Sequence, residues 1–86
     1  MDDIADLQAQ MVALRLAVEG LWLSLLRPDP QAVENAVRLG EENSKAIGQL
    51  DASTEATRAM RDAVRKHTET LWGSIEWQLR EARKQS

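Results

Sequence analysis

Few residues in this chain have chemistry to offer. His67 is the single histidine, and the only side chain whose ordinary pKa suits a general base near neutral pH. Serines and acids are present, but their spacing sets no nucleophile beside a base. The adjacent acids Asp2/Asp3 and Glu41/Glu42 diverge by about 100° on a helix, so they make solvated charge rather than a catalytic dyad. There is no glycine-rich phosphate loop, no HExxH and no cysteine. One histidine without a thiolate excludes a multi-histidine or cysteine metal site within one chain. His67 therefore reads as a partly buried histidine bonded to a neighbour. No catalytic, cofactor-binding or metal residue is assigned, and the chain reads as a non-enzyme.

Binding chemistry has two candidates. In TRAMRDAVRK, Arg58, Arg61 and Arg65 are spaced 3 and 4 apart and form one basic stripe along a helix. Such a stripe could meet phosphates or an acidic protein surface. The plainer reading, a solvated face balanced by Asp62 and Glu69, is preferred. The formal charge of −3 also argues against bulk nucleic-acid binding. The second candidate is Trp77. It lies about 140° around the helix from Trp72, so one narrow core cannot hold both rings. Trp72, near Ile75 and Leu79, belongs to the core. Gly73, one turn before Trp77, leaves open space beside its ring. Trp77 then either closes an oligomer interface or anchors another partner, a role in which tryptophan is enriched.

The elements that would carry these residues are helical. Ala, Leu, Glu, Gln and Arg dominate, and no alternating β-branched run suggests a strand. Ile4, Leu7, Met11, Leu14, Val18, Leu21 and Leu25 follow one another at 3, 4, 3, 4, 3 and 4 residues. That is an unbroken a/d heptad seam, the pattern that packs helices as knobs into holes. Trp22 flanks it. A second stripe, Ala9, Val12, Leu16, Leu23 and Leu26, lies on another side, interrupted by Glu19. In EGLWLSLLRPDP, Leu21, Trp22, Leu23, Leu25 and Leu26 point all the way round the helix, which asks for neighbours on two faces. The reading assigns Ile4, Leu7, Met11, Leu14, Val18, Leu21, Trp22 and Leu25 to an oligomer interface. Leu23, Leu26, Trp77, Arg58, Arg61 and Arg65 are the partner-binding candidates.

The spacing predicts a first helix over about 3–26, with Asp2 and Asp3 at its positive pole, Arg27 near its negative pole and Pro28 ending it. A second should run over about 30–47, with Asp29 as N-cap and Pro30 as first helical residue. Its thin apolar face is Val33, Ala36, Val37, Ile47 and Leu39. A third should run over about 52–83, capped by Asp51 or Ser53. Its inner stripe reads Ala56, Met60, Ala63, Val64, Leu71, Ile75 and Leu79, with His67 and Thr68 in the gap. Gln85 and Ser86 should fray. Glu34/Arg38, Glu41/Lys45, Asp62/Lys66 and Glu76/Arg80 stand as acid-before-base pairs on solvated faces. A helix uninterrupted at Gly48 would give one rod of about 54 residues, roughly 80 Å long; the break is preferred.

Eighty-six residues make one domain at most and bury only about 60% of the unfolded surface. With disulfides and metals excluded, oligomerisation is the remaining support. Residues 1–30 hold five acids against two bases, residues 31–50 three against two, and residues 51–86 six against seven. The greasy window Leu14–Leu26 is shorter than the ~20 residues of a spanning helix and contains Arg15 and Glu19. The acids at the N-terminus suit neither a signal peptide nor a membrane-surface helix. Membrane attachment is therefore not expected, and a cytoplasmic setting is. Eight arginines against three lysines, with abundant alanine, suggest a GC-rich bacterial or phage genome. The expected architecture is all-α: three helices, or a hairpin with one long broken arm, associating as a coiled-coil-like bundle. The expected function is a non-catalytic interaction module, an adaptor, assembly factor or inhibitor, acting as a homo-oligomer. The alternatives are a regulator touching nucleic acid through the arginine stripe, and a chaperone or assembly subunit with an exposed docking face.

Overall fold

The structure, a computed structural model, describes residues 2–85 and, at residue 2, the backbone alone. Ser86, and the Asp2 side chain expected at the helix pole, lie outside what is described. The described chain is three helices, α1 (Asp2–Leu26), α2 (Ala32–Gly48) and α3 (Glu55–Lys84), with no strand among these residues.

The ends of the helices follow local chemistry, with two shifts from expectation. Pro28 stops α1, and Arg27 and Asp29 still donate backbone hydrogen bonds to Leu23 and Leu26 (both 2.9 Å) through the turn. Asp29 does not cap α2. Its carboxylate accepts from the Gln31 backbone N–H at 2.9 Å and from the Asn35 side-chain amide at 2.6 Å. The helix therefore starts at Ala32, with Gln31 in the cap position and no side-chain cap. Asp51 likewise turns onto Ser53, whose side chain first and backbone N–H second hold its carboxyl below the ordinary Asp value. That leaves Thr54 to cap α3, three residues after Asp51 and one after Ser53, the two expected caps. Thr54 Oγ1 accepts from the Thr57 N–H, and Thr57 Oγ1 accepts from the Thr54 N–H, a reciprocal box made of two threonines. Gln85 closes the far end as C-cap, where Arg83 and Lys84 sit at the negative pole.

α2 and α3 form an antiparallel hairpin, because Glu34 meets Arg83, Gly40 meets Trp72 and Gly48 meets Arg65. A Cβ on Gly40 would stand 3.4 Å from the Cβ and Cγ of Trp72, so the glycine lets the indole lie close against α2. The last turns of α1 close the bundle. Leu23 and Leu26 join Ala32, Val33, Ala36, Ile75 and Leu79 in one buried cluster, flanked by half-buried Trp22, Leu39, Leu71 and Trp72. Trp22 and Trp72 stack at 5.4 Å between ring centroids, tilted by 52°.

Only that end of α1 is packed. Residues 3–17 are exposed throughout, about 22 Å of helix standing clear of the hairpin. The molecule is accordingly flat, 46 × 33 × 16 Å. This departure overturns part of the expected core. Leu71, Ile75 and Leu79 lie inside, but Met60 is 69% exposed, and Ala56, Ala63 and Val64 are exposed too. His67 is also exposed rather than partly buried. The reason is common to all: α1 leaves the bundle before it can cover the first half of α3.

The ion pairs are redistributed as well. Glu34 reaches Arg83 across the hairpin at 3.1 Å instead of Arg38, and Arg38 pairs with Glu42. Glu76 and Arg80 pair as expected, at 2.6 Å.

Candidate interaction surface

The seam of α1 is built from aliphatic side chains that recur on one side of an uninterrupted helix. Ile4 is 71% exposed and Leu14 is 67% exposed; Leu7, Met11, Leu21 and Leu25 are similarly bare. Val18 and Trp22 are half-buried, because they stand where α1 meets the hairpin. A helix with apolar residues all round and one end packed must leave a stripe in solvent, since its own chain supplies only one neighbour. Val12 and Leu16 add to the exposed surface on a second side.

The remaining candidates separate. Leu23 and Leu26 are not available to a partner: their own chain covers them, as members of the core cluster. The part of LWLSLL that another molecule could cover is therefore Leu21 and Leu25. Of the three arginines, only Arg58 is exposed. Arg61 and Arg65 are half-buried, each with a buried Nε that has no hydrogen-bond partner. Arg65 lies against Gly48 at the C-terminus of α2, where a cation is favoured. Arg61 Nε lies 3.8 Å from Asp62 Oδ1 on its own helix, so of the three arginines only Arg65 is set against α2. Trp77 is 63% exposed, and Gly73 beside it has open space around its Cα.

Sequence reasoning did not single out Glu19 as a buried charge. It is 5% exposed, its Oε2 stands 3.7 Å from Arg15 Nε, and its buried Oε1 has no hydrogen-bond partner. The signal was its interruption of the second apolar stripe, which placed a carboxylate on the face that packs. A groove of about 280 Å³ also runs between α2 and α3, floored by Val37, Gly40, Ile47 and Trp72, with Glu41, Glu69 and Glu76 among its lining residues. No cluster of three or more His, Cys, Asp or Glu able to hold a metal occurs among the described residues.

By length and composition Asp3–Leu26 is apolar enough to cross a membrane, and only 17% of its apolar 18-residue window is buried, so the chain does not cover it as it would a core helix. The apolar stretch reaches further toward the N-terminus than Leu14–Leu26, because Ile4, Leu7, Met11 and Val12 continue it within one helix. Comparison with protein-family models, curated proteins and solved structures finds no match.

Proposed function

We propose that this chain is a small, non-catalytic helical protein–protein interaction module that acts as a homo-oligomer, with the α1 seam as its contact surface. One observation carries the reading: a regular a/d seam whose residues outside the Val18 junction are more than half exposed. Six large aliphatic side chains at that exposure offer on the order of 600–700 Å² per copy, close to the ~800 Å² per partner of a standard interface. A bare stripe of that size on a small soluble chain needs a cover, and an identical seam supplies one of matching period.

A bilayer is the other candidate cover, and packing weighs against it. Trp22, Leu23 and Leu26 sit on the hairpin, so the free part of α1 is residues 3–17. Its length of about 22 Å falls short of the ~30 Å hydrocarbon core. Crossing with the whole of Asp3–Leu26 would strip three side chains from the core and carry Arg15 and Glu19 into lipid.

Absolute mass by size exclusion with light scattering, over a tenfold dilution, tests the proposal. A fixed dimer or tetramer is expected. A stable monomer at every concentration would remove the proposal.

A further inference from the structure

We propose that the second copy lies parallel to the first along α1, in register, as a two-stranded coil; this rests on the reading that a second copy covers the seam. The order of the spacing selects the direction. From Ile4 the seam steps 3, 4, 3, 4, 3 and 4 residues, and read backwards it steps 4, 3, 4, 3, 4 and 3. A parallel copy therefore sets every seam residue beside its own counterpart. An antiparallel copy matches the seam only after a shift that leaves Leu25 or Ile4 of each chain with nothing opposite. The layers themselves suit two strands. Leu7, Leu14 and Leu21 fill one set of positions, and the other set, Ile4, Met11, Val18 and Leu25, holds both β-branched residues of the seam.

The hairpin makes the two flanks of the seam unequal. It covers the side of α1 that carries Glu19, Trp22, Leu23 and Leu26, whereas Ala17, Gly20, Leu21, Ser24 and Leu25 stay exposed. One flank thus holds Gln8, Arg15 and half-buried Trp22, and the other holds Asp3, Gln10, Ala17 and Ser24. In a parallel pair each flank faces the opposite kind on the partner. Gln8 meets the partner's Asp3, Arg15 meets its Gln10, and Trp22 meets its Ala17. The small Ala17 leaves room for the part of the indole that the hairpin does not cover, and no like charges meet.

An antiparallel pair turns each flank onto itself. In the shift that keeps Leu25, Arg15 of one copy stands against Arg15 of the other, and like charges repel. Arg15 has only Glu19 beside it, at 3.7 Å, to offset this. The opposite flank then sets Ala17 and Gln10 against each other and leaves the exposed part of Trp22 away from any small residue.

The chain has no cysteine, so an introduced thiol can link only to its counterpart in a second copy. Leu7→Cys and Leu25→Cys lie toward the two ends of the seam, 57% and 62% exposed, so neither touches the core. Ala13→Cys, exposed and off the seam, is the control for chance collision. Each variant is held at a concentration where light scattering shows the oligomer, and linked dimer is followed in a glutathione redox buffer. Parallel packing brings both seam thiols close to the Cα separation of about 4.4–6.8 Å that a disulfide needs. Both should then link at least about tenfold more readily than Ala13→Cys, through their higher effective concentration. Antiparallel packing holds each thiol roughly 16 Å or more from its counterpart along the axis. Failure of both to link alone, with Leu7→Cys linking to Leu25→Cys or Val18→Cys in a mixture, means an antiparallel pair and overturns the inference while the homo-oligomer stands. A tetramer by mass overturns the two-stranded coil in the same way. A dimer in which no seam thiol, alone or mixed, outruns Ala13→Cys is joined by another surface, and it overturns both the inference and the seam. A monomer, whether free or carried down with phosphatidylglycerol vesicles, also overturns both.

Discussion

Trp22 on α1 and Trp72 on α3 stack at 5.4 Å with their rings tilted by 52°, and this contact joins the first helix to the hairpin. Trp72 also donates its indole N–H to Asn43 on α2 at 3.4 Å, so one side chain touches all three helices. Fully buried tryptophans cost 3–5 kcal/mol on truncation, and for this half-buried ring Trp72→Ala should cost about 2–3 kcal/mol. Chemical denaturation measures the loss. A change below 0.5 kcal/mol would mean that the junction is not held by this pair.

Two residues of one stripe on α3 should behave oppositely. Ile75 is fully buried and Met60 is bare. Ile75→Ala should destabilise by about 2–5 kcal/mol, and Met60→Ala should stay within about 0.5 kcal/mol. Equal losses at the two positions would show that α1 covers the whole of α3 in solution.

Glu19 is expected to cost stability where it stands. A buried carboxylate with one oxygen unpartnered and an arginine at 3.7 Å is poorly compensated. Glu19→Leu should raise stability by about 1–3 kcal/mol, and Arg15→Ala should lower it. A destabilised Glu19→Leu in thermal denaturation would refute this account of the site.

Acid should loosen the hairpin through Glu34. The hydrogen bond from Arg83, followed by one from the backbone, holds its carboxyl below the ordinary value of 4.5. A carboxyl with a lowered folded-state pKa contributes stability above its unfolded value, and loses it as pH falls through the folded one. Glu34→Gln should therefore be less stable than the parent at neutral pH and converge with it well below pH 4.5. Because the group is exposed, the effect should be small and should shrink with salt. Melting temperature against pH for both proteins checks the sign, and a gap that widens in acid would contradict it.

The seam should be separable from the fold. Leu14 is bare and central, so Leu14→Lys should leave helicity and melting largely unchanged while weakening self-association by at least about tenfold, or ~1.4 kcal/mol. Loss of helicity with dissociation would mean that the monomer does not stand alone; unchanged association would place the interface elsewhere.

Sequence alone determined what depends on neighbours within a few residues. Pro28 cannot continue a helix, and the 3, 4 spacing from Ile4 to Leu25 draws an apolar line whatever lies beside it. The stop after α1 and the seam follow from those local rules; Gly48 left one rod or two helices open, and the structure breaks the chain there without a positive φ at the glycine. Cap choice was harder to read, because Asp29 and Asp51 can bond either to a helix end or to their own turn, and both took the turn. Only the tertiary structure decided which apolar residues are covered. Leu23 and Met11 are alike in chemistry, yet one is buried and the other bare, because α1 meets the hairpin only from Val18 onward. The angle of that departure arises from how Trp22, Leu23 and Leu26 seat among Ala36, Trp72, Ile75 and Leu79, residues far apart in the chain. Helical periodicity specifies which side chains share a face, but the direction of that face is set by packing between distant segments.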